Sequence, residues 1–423
     1  PISNLISYLD KKNNDDKTAL MIALENKNEN VVKLLIKHIQ DYTTGEYING
    51  VFENMPALFI AILDGNVPIV KMLIDAGADI NDKFQFGNKK LTPLDIAIGM
   101  INNEWNKDIE DIVNILITAG GNITIYQDDD GTTDLMNAAM NGPVDIVKLL
   151  IQRAATITSP ISNPTSTPIP YIDLQDSVGK TALMYAVSEN KNKNKNEIVN
   201  SLIKAGADIN LKDKEGITAL MYAVMDNNDV IVNELIKAGA DIYLQDEFNY
   251  TTLMHAAGYG SVDIVESLIN RASITTSPTS NLISYIDKKN NYEETALKIA
   301  VEINKYDVVR LLIKSGAEYD DILINAAKNN NKDHVLALSE AGADIYSQDN
   351  KGNTALMYAV KNNNEDMVKI LVNHASIITS PTSNPTSNPT SNPTSNPISN
   401  LIYYLNIENK NGKTAIWYAI SSK

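Results

Sequence analysis

The 423-residue chain contains no cysteine. Disulfides, thiolate zinc sites and cysteine nucleophiles are therefore excluded, and the chain suits a reducing cytoplasm, free or attached to a larger assembly. Long hydrophobic runs are missing as well. Nothing approaches the roughly 18–20 consecutive apolar residues that span a bilayer, so no membrane insertion is expected. No signal peptide opens the sequence, and a first residue of Pro1 rather than Met leads to the expectation of a processed or partial chain. Positive charge is in deficit: 36 Lys and Arg face 52 Asp and Glu, a formal net charge of −16. Neutralising phosphates needs clustered cations, so nucleic acid is not an expected partner, whereas a protein with a basic surface is.

Signatures of chemistry are equally scarce. The four histidines, His38, His255, His334 and His374, are scattered, and none stands in a metal-ligand spacing such as H-E-x-x-H. His255 is expected to take the place of a methionine that sister segments carry, a variant without a role of its own. No phosphate-binding G-x-x-x-x-G-K-[ST], no G-x-S-x-G and no dinucleotide G-x-G-x-x-G occurs. Asp128, Asp129 and Asp130 cluster on a turn, where Asp is favoured anyway, and no calcium loop follows them. Asn122-Ile-Thr and Asn249-Tyr-Thr fit the glycosylation pattern by chance, in the absence of a secretion signal. The expectation is therefore a non-enzyme with no catalytic residue, cofactor or metal.

What is there is repetition, in a chain 43% apolar and able to bury a core. "TALMYA" stands at Thr181, Thr218 and Thr354, "TALMIA" at Thr18 and "TALKIA" at Thr295. Looser versions begin at Pro56, Thr92, Thr133, Thr251, Asp321 and Thr414, giving eleven starts. The tightest shared spacing is 33 residues, from 218 to 251 and from 321 to 354. A second phrase such as "SLIKAGADIN" or "ELIKAGADIY" follows each start by about 20 residues. Recurrence at this period means a solenoid, in which neighbouring units bury one another's apolar faces.

One unit shows the physics. Asp213 to Gly216 signals a turn, and Thr218 can N-cap a short helix with Leu220, Ala223 and Val224 facing inward. Asp226 to Asp229 breaks that helix; Ile231, Val232, Leu235 and Ile236 form the inner face of a second. Gly239 stops it, and Ala240-Asp241-Ile242 leads on to the next turn. Neither helix is long enough to stand alone in water. The Met-Tyr pairs (Met184-Tyr185, Met221-Tyr222, Met357-Tyr358) are expected to pack between helices.

The D-x-x-G-x-T turn, the T-P/A-L-x-x-A helix start, the V-x-x-L-(I/L) second helix and the G-A-D-I exit together resemble the ankyrin repeat. The likeness covers almost the whole chain, and the Ala-Leu-Met-Tyr version is similar to arrays of protists and large DNA viruses. The resemblance implies an all-α ankyrin-repeat solenoid of about eleven helix-turn-helix units with short β-hairpin-like turns. It also implies a concave surface, lined by turn tips and the outer ends of first helices, that meets a protein partner.

The period lengthens at three places, all after a second helix where Gly-Ala-Asp gives way to Arg153-Ala154-Ala155, Arg271-Ala272-Ser273 or His374-Ala375-Ser376. Ser/Thr/Asn/Pro-rich stretches follow before Tyr171, Tyr285 and Tyr404 restore the route. A single solenoid over 1–423 is thus expected, with repeat blocks 1–153, 171–271, 285–374 and 404–423 and insertions 154–170, 272–284 and 375–403. The apolar pieces "NLISY" and "NLIYY" are expected to form short helical turns on the repeat edge. The Asn-Pro-Thr-Ser tandem reads as a solvated loop, as a phosphorylation or docking segment at Ser159-Pro160, Ser277-Pro278 and Ser380-Pro381, or as an ordered spacer.

Partner-binding candidates follow from aromatics on turns. Phe248 and Tyr250, where sister turns carry polar residues or Gly, and Tyr259 at the end of the next helix are expected to be unusually exposed. The alternative is that they pack on neighbouring turns. Phe84 and Phe86 form a second pair, with Asp128 to Asp130 as an acidic stripe between the groups. A binding scaffold is the leading reading. A structural component of a cytoskeletal or fibrous assembly, self-associating through open ends at Ile416, Trp417 and Ile420, is a rival. So is the targeting region of a larger polypeptide.

Overall fold

The segment from Asp213 onwards builds its unit in the expected order. Thr218 is extended and its hydroxyl accepts the Met221 N–H at 3.3 Å, which starts a helix at Ala219. Asn227, at φ 52°, turns the chain, and the Asn228 side chain caps the second helix by accepting the Ile231 N–H at 3.1 Å. Gly239, at φ 98°, stops that helix. Leu220, Ala223, Val224, Ile231, Val232, Leu235 and Ile236 are all buried, as the 3.6-residue spacing requires. Each large aliphatic among them contributes about 1.5–3 kcal/mol by leaving water.

A computed structural model describes residues 11–14, 17–42, 51–52, 55–86, 89–100, 106–121, 131–154, 170–188, 194–275, 279–377 and 397–421. The chain divides into two compact units, Pro1–Lys214 and Glu215–Lys423. Both are stacks of helix pairs, an all-α solenoid architecture.

In the first unit the pairs are α1 (Ala19–Glu25) with α2 (Glu29–Tyr42), α3 (Ala57–Leu63) with α4 (Val67–Asp75), α5 (Pro93–Met100) with α6 (Lys107–Thr118), α7 (Asp134–Asn141) with α8 (Val144–Ala154), and α9 (Ala182–Ser188) with α10 (Lys195–Lys204). First helices pack on first helices and second on second, so each layer is continuous along the unit. Two antiparallel hairpins precede first helices: β1 (Val51–Phe52) with β2 (Met55–Pro56), and β3 (Phe84–Phe86) with β4 (Lys89–Leu91).

The second unit pairs α11 (Ala219–Met225) with α12 (Asp229–Lys237) and α13 (Thr252–Gly258) with α14 (Val262–Thr275). A helix of insertion sequence follows, α15 (Thr279–Ile286). Then come α16 (Ala296–Glu302) with α17 (Tyr306–Lys314), α18 (Asp320–Lys328) with α19 (Lys332–Glu340), and α20 (Ala355–Lys361) with α21 (Glu365–Ile377). A second insertion helix, α22 (Pro397–Asn406), precedes α23 (Ala415–Ser421). The "NLISY" and "NLIYY" pieces are thus full helices, packed on α14 and α21.

The helices before the insertions also run further than the composition suggests. With no Gly at the stopping position, α14 continues through Arg271 to Thr275 and α21 through His374 to Ile377. Ser273 and Ser376 donate their hydroxyls back to the carbonyls of Ile269 and Val372, which keeps the last turn helical. The chain re-enters each repeat through one equivalent residue. Tyr171, Tyr285 and Tyr404 are all buried, five residues before a turn Asp or Asn. The Tyr171 hydroxyl accepts the Leu135 N–H at 3.2 Å, and burial holds its pKa well above the ordinary value. Tyr285 and Tyr404 pack edge-on against Tyr243 and Tyr346, with ring centroids 5.1 Å apart in both cases.

Within each unit the turns between successive repeats project as fingers that bond to one another. In the first unit Lys214 N–H donates to the Val178 carbonyl at 3.0 Å. In the second, Glu247 donates to Glu215, Asn291 to Phe248, and Lys410 to Lys351, each at 3.0 Å. One finger is absent. Only 26 residues separate Thr295 from Asp321, and α18 follows the end of α17 without the D-x-x-G turn. The fingers of this unit therefore form two runs, 215–294 and 349–413.

Candidate functional site

The finger at Asp246 is held by one carboxylate. Asp246 Oδ1 accepts the backbone N–H groups of Phe248 and Tyr250 at 2.9 and 2.8 Å, which closes the turn and lifts Asn249 into φ 61°. Its Oδ2 lies 3.0 Å from His255 Nε2, one turn into α13. In sister repeats this second bond comes from tyrosine: Tyr185 donates to Asp176 at 2.5 Å and Tyr358 to Asp349 at 2.7 Å. The next finger repeats the scheme with Asn290, whose Oδ1 accepts from Tyr292 and Glu294 N–H at 2.9 Å each.

Joining these two fingers lines up five rings. Phe248 stacks on Tyr292 (6.4 Å, 24°), Tyr292 meets Tyr250 (6.4 Å), Tyr250 meets His255 (5.5 Å), and His255 stacks on Tyr259 (6.5 Å, 24°). The ends of the row are open: Phe248 is 53%, Tyr292 59% and Tyr259 62% exposed. The middle is closed, with His255 buried and Tyr250 half-buried. Burial disfavours the imidazolium and lowers the His255 pKa, against the opposing pull of the Asp246 carboxylate. Tyr250 donates to Glu294 at 3.3 Å, and burial together with that carboxylate raises its pKa. The row therefore presents two aromatic faces over a hydrogen-bonded base. Arranged so, it can stack on flat or cationic groups.

The expected residues fare differently. Phe248, Tyr250 and Tyr259 are brought into one row. Phe248 and Tyr259 have the exposure expected, Tyr250 less, and packing on a neighbouring turn also occurs, through Tyr292. Phe84 lies in the first unit, half-buried and edge-on to Phe59 at 5.3 Å. Phe86 pairs with Lys89 in the same hairpin. Asp128, Asp129 and Asp130 lie outside the described residues. Tyr292 and His255 were missed. His255 stands not at the methionine position, which Met254 fills, but at the tyrosine position, four residues after the cap; counting from Thr251 would have shown it. The repeat methionines are core, as expected, but the paired tyrosines also tie each helix to its own turn.

Among the described residues no group of three or more His, Asp or Glu could hold a metal ion, and no helix is long and apolar enough to cross a membrane.

Capped helix pair, Gly-stopped second helix and finger recur in both units, and the profile described as "Ankyrin repeats (3 copies)" matches residues 2–84, 100–213, 190–278, 220–322 and 323–423. The chain belongs to the ankyrin-repeat family. It is similar to the "Ankyrin repeat and KH domain-containing protein mask-1" of Caenorhabditis elegans, 29% identical over 147 residues, which is 35% of this chain and 5% of that protein. It is also similar to a putative ankyrin repeat protein of fowlpox virus, 33% identical over 103 residues, 22% of this chain and 25% of that protein. The chain thus spans at most a quarter of the length of either relative. Ankyrin repeats are general protein–protein interaction modules.

Proposed function

We propose that this ankyrin chain is a non-enzymatic scaffold that binds a protein partner through the aromatic row of the Asp246 and Asn290 fingers. The observation that carries the reading is the exposure of Phe248, Tyr292 and Tyr259 on a hydrogen-bonded base. Large rings already fixed in place lose little entropy on binding, which is why aromatics dominate interface hot spots. The carboxylate excess favours a partner with a basic surface and speeds its approach. The absence of cysteine suits a cytoplasmic setting.

The test is a quantitative pull-down with the wild-type chain and the Phe248→Ala/Tyr250→Ala variant as baits. Partners retained by the first and lost by the second support the surface; equal recovery removes it. A second reading, a self-associating structural component, is favoured by the exposed Ile416, Trp417 and Ile420 on α23. Light scattering decides that one, since a monodisperse monomer contradicts it.

A further inference from the structure

The missing finger has a chemical consequence. In each bonded finger the carbonyl two residues after the turn Asp accepts the next finger's N–H: Val178, Glu215, Phe248 and Lys351. The equivalent carbonyl of the Asn290 finger belongs to Tyr292. It accepts no hydrogen bond among the described residues, because no finger follows it. Beside it, the left-handed position of the turn (φ 58°) is occupied by the exposed Glu293.

A groove lies between the helices that flank the deletion. Consecutive first helices of this unit pack closely except α16 and α18, which flank the deletion. Between them lies a groove of about 250 Å³ lined by the apolar Val301, Ile322 and Ala326 together with Asn325, Asn329 and His334. Lys298 also lines it and ion-pairs with Glu294 of the finger at 3.7 Å and with Glu302 at 4.0 Å. Lys298 thus links the groove to the finger, because its ion-pair partner Glu294 stands two residues after Tyr292, whose ring stacks on Phe248. Glu293 pairs with Lys289, and Glu294 and Glu302 share Lys298, so with Glu247 these four glutamates exceed the two lysines by two charges.

We propose that an extended, basic segment of a partner protein docks at this edge, taking the place of the missing finger. Its backbone N–H donates to the Tyr292 carbonyl, continuing the finger-to-finger ladder as an added strand does at a sheet edge. An Arg or Lys side chain covers the Phe248–Tyr292 faces among the glutamates, where cation–π attraction and charge act together. An apolar side chain of the same segment fills the groove between α16 and α18. The proposal rests on the reading of the aromatic row as a partner surface and adds the chemistry of what binds there.

The test selects a phage-displayed library of random 12-residue peptides on the full chain and measures an enriched peptide by fluorescence anisotropy. Enriched peptides are expected to carry Arg or Lys together with a nearby aliphatic residue. Affinity should fall at least tenfold with Glu247→Lys/Glu293→Lys, with the groove-filling Asn325→Trp, and on N-methylation of one peptide amide. That last change leaves the protein untouched, so it is decisive even where a variant fails to fold. Acidic peptides, no enrichment, or binding indifferent to amide methylation and to Asn325→Trp overturns the proposal. If that indifferent binding is still abolished by Phe248→Ala/Tyr292→Ala, the aromatic surface stands and only the docking mode falls. Binding indifferent to Phe248→Ala/Tyr292→Ala removes the underlying surface as well.

Discussion

The fingers at Asp246 and Asp349 start from the same plan and end differently. Each carboxylate accepts two backbone N–H groups of its own turn and one bond from the following first helix. At Asp349 the network closes inward: Asn353 reaches the Tyr358 hydroxyl and accepts from Asn409, and Asn409 in turn donates to Tyr418. At Asp246 the tyrosine is replaced by a shorter, buried histidine, and aromatic rings turn outward. The Asp349 finger spends its side chains on cohesion; the Asp246 finger leaves them on display. The lesson is that one scaffold serves both ends through changes at a few turn positions.

The comparison predicts a graded set of effects. The largest belongs to the sealed side. Tyr404→Ala empties a fully buried ring site against Tyr346 and should cost about 3–5 kcal/mol in urea denaturation, whereas exposed Tyr292→Ala should stay within about 0.5 kcal/mol. A similar loss at both sites would mean that the aromatic row is structural. Next comes the carboxylate itself: Asp349→Ala strands two turn N–H groups and should cost about 2–3 kcal/mol. At Asp349 the hydrogen bonds outweigh the raising effect of burial and hold its pKa below the ordinary value. Its stabilisation is therefore complete above the unfolded carboxylate range and is lost as pH falls through the lower folded value.

Two smaller effects sharpen the comparison. Gly352 and Gly412 share a left-handed backbone (φ 77° and 68°), but a Cβ on Gly352 would lie 2.8 Å from Lys410 N and one on Gly412 would meet nothing. Alanine should cost about 1–2 kcal/mol at Gly412 from backbone strain alone and more at Gly352, read from melting curves. Equal costs would argue against a bonded finger pair at Lys351–Lys410. The smallest effect is His255. Its folded pKa lies below the unfolded value near 6.5, so the unfolded chain takes up the proton first and stability declines as pH falls below about 6.5. The groups facing the ring are Asp246, Tyr250 and Tyr259. His255→Tyr, which restores the sister residue, should remove that part of the acid sensitivity; an unchanged pH profile would contradict the assignment.

Local chemistry made much of this readable from sequence. Caps, apolar spacing and stopping glycines act within one turn of chain, so Thr218, Leu220 and Gly239 sit where the pattern put them. The overrun of α14 was not anticipated: the loss of Gly-Ala-Asp at Arg271-Ala272-Ser273 was visible, but the Ser/Thr/Asn/Pro composition that follows pointed to a loop rather than to a continuing helix. Tyr292 was overlooked for a different reason: its role depends on Phe248, 44 residues earlier, and finger-to-finger contact is not a local property. The deletion after α17 was already written in the 26-residue step from Thr295 to Asp321, but its meaning, an unpaired carbonyl and an open groove, needed the stacking of neighbours.

The most direct test of the central claim is the affinity of a captured partner for the wild-type chain and for Phe248→Ala/Tyr292→Ala, measured by calorimetry with melting curves as a folding control. An exposed aromatic hot spot predicts a loss of about 2 kcal/mol or more, some thirtyfold in Kd, with the melting temperature unchanged. An unchanged Kd in a folded variant would contradict it.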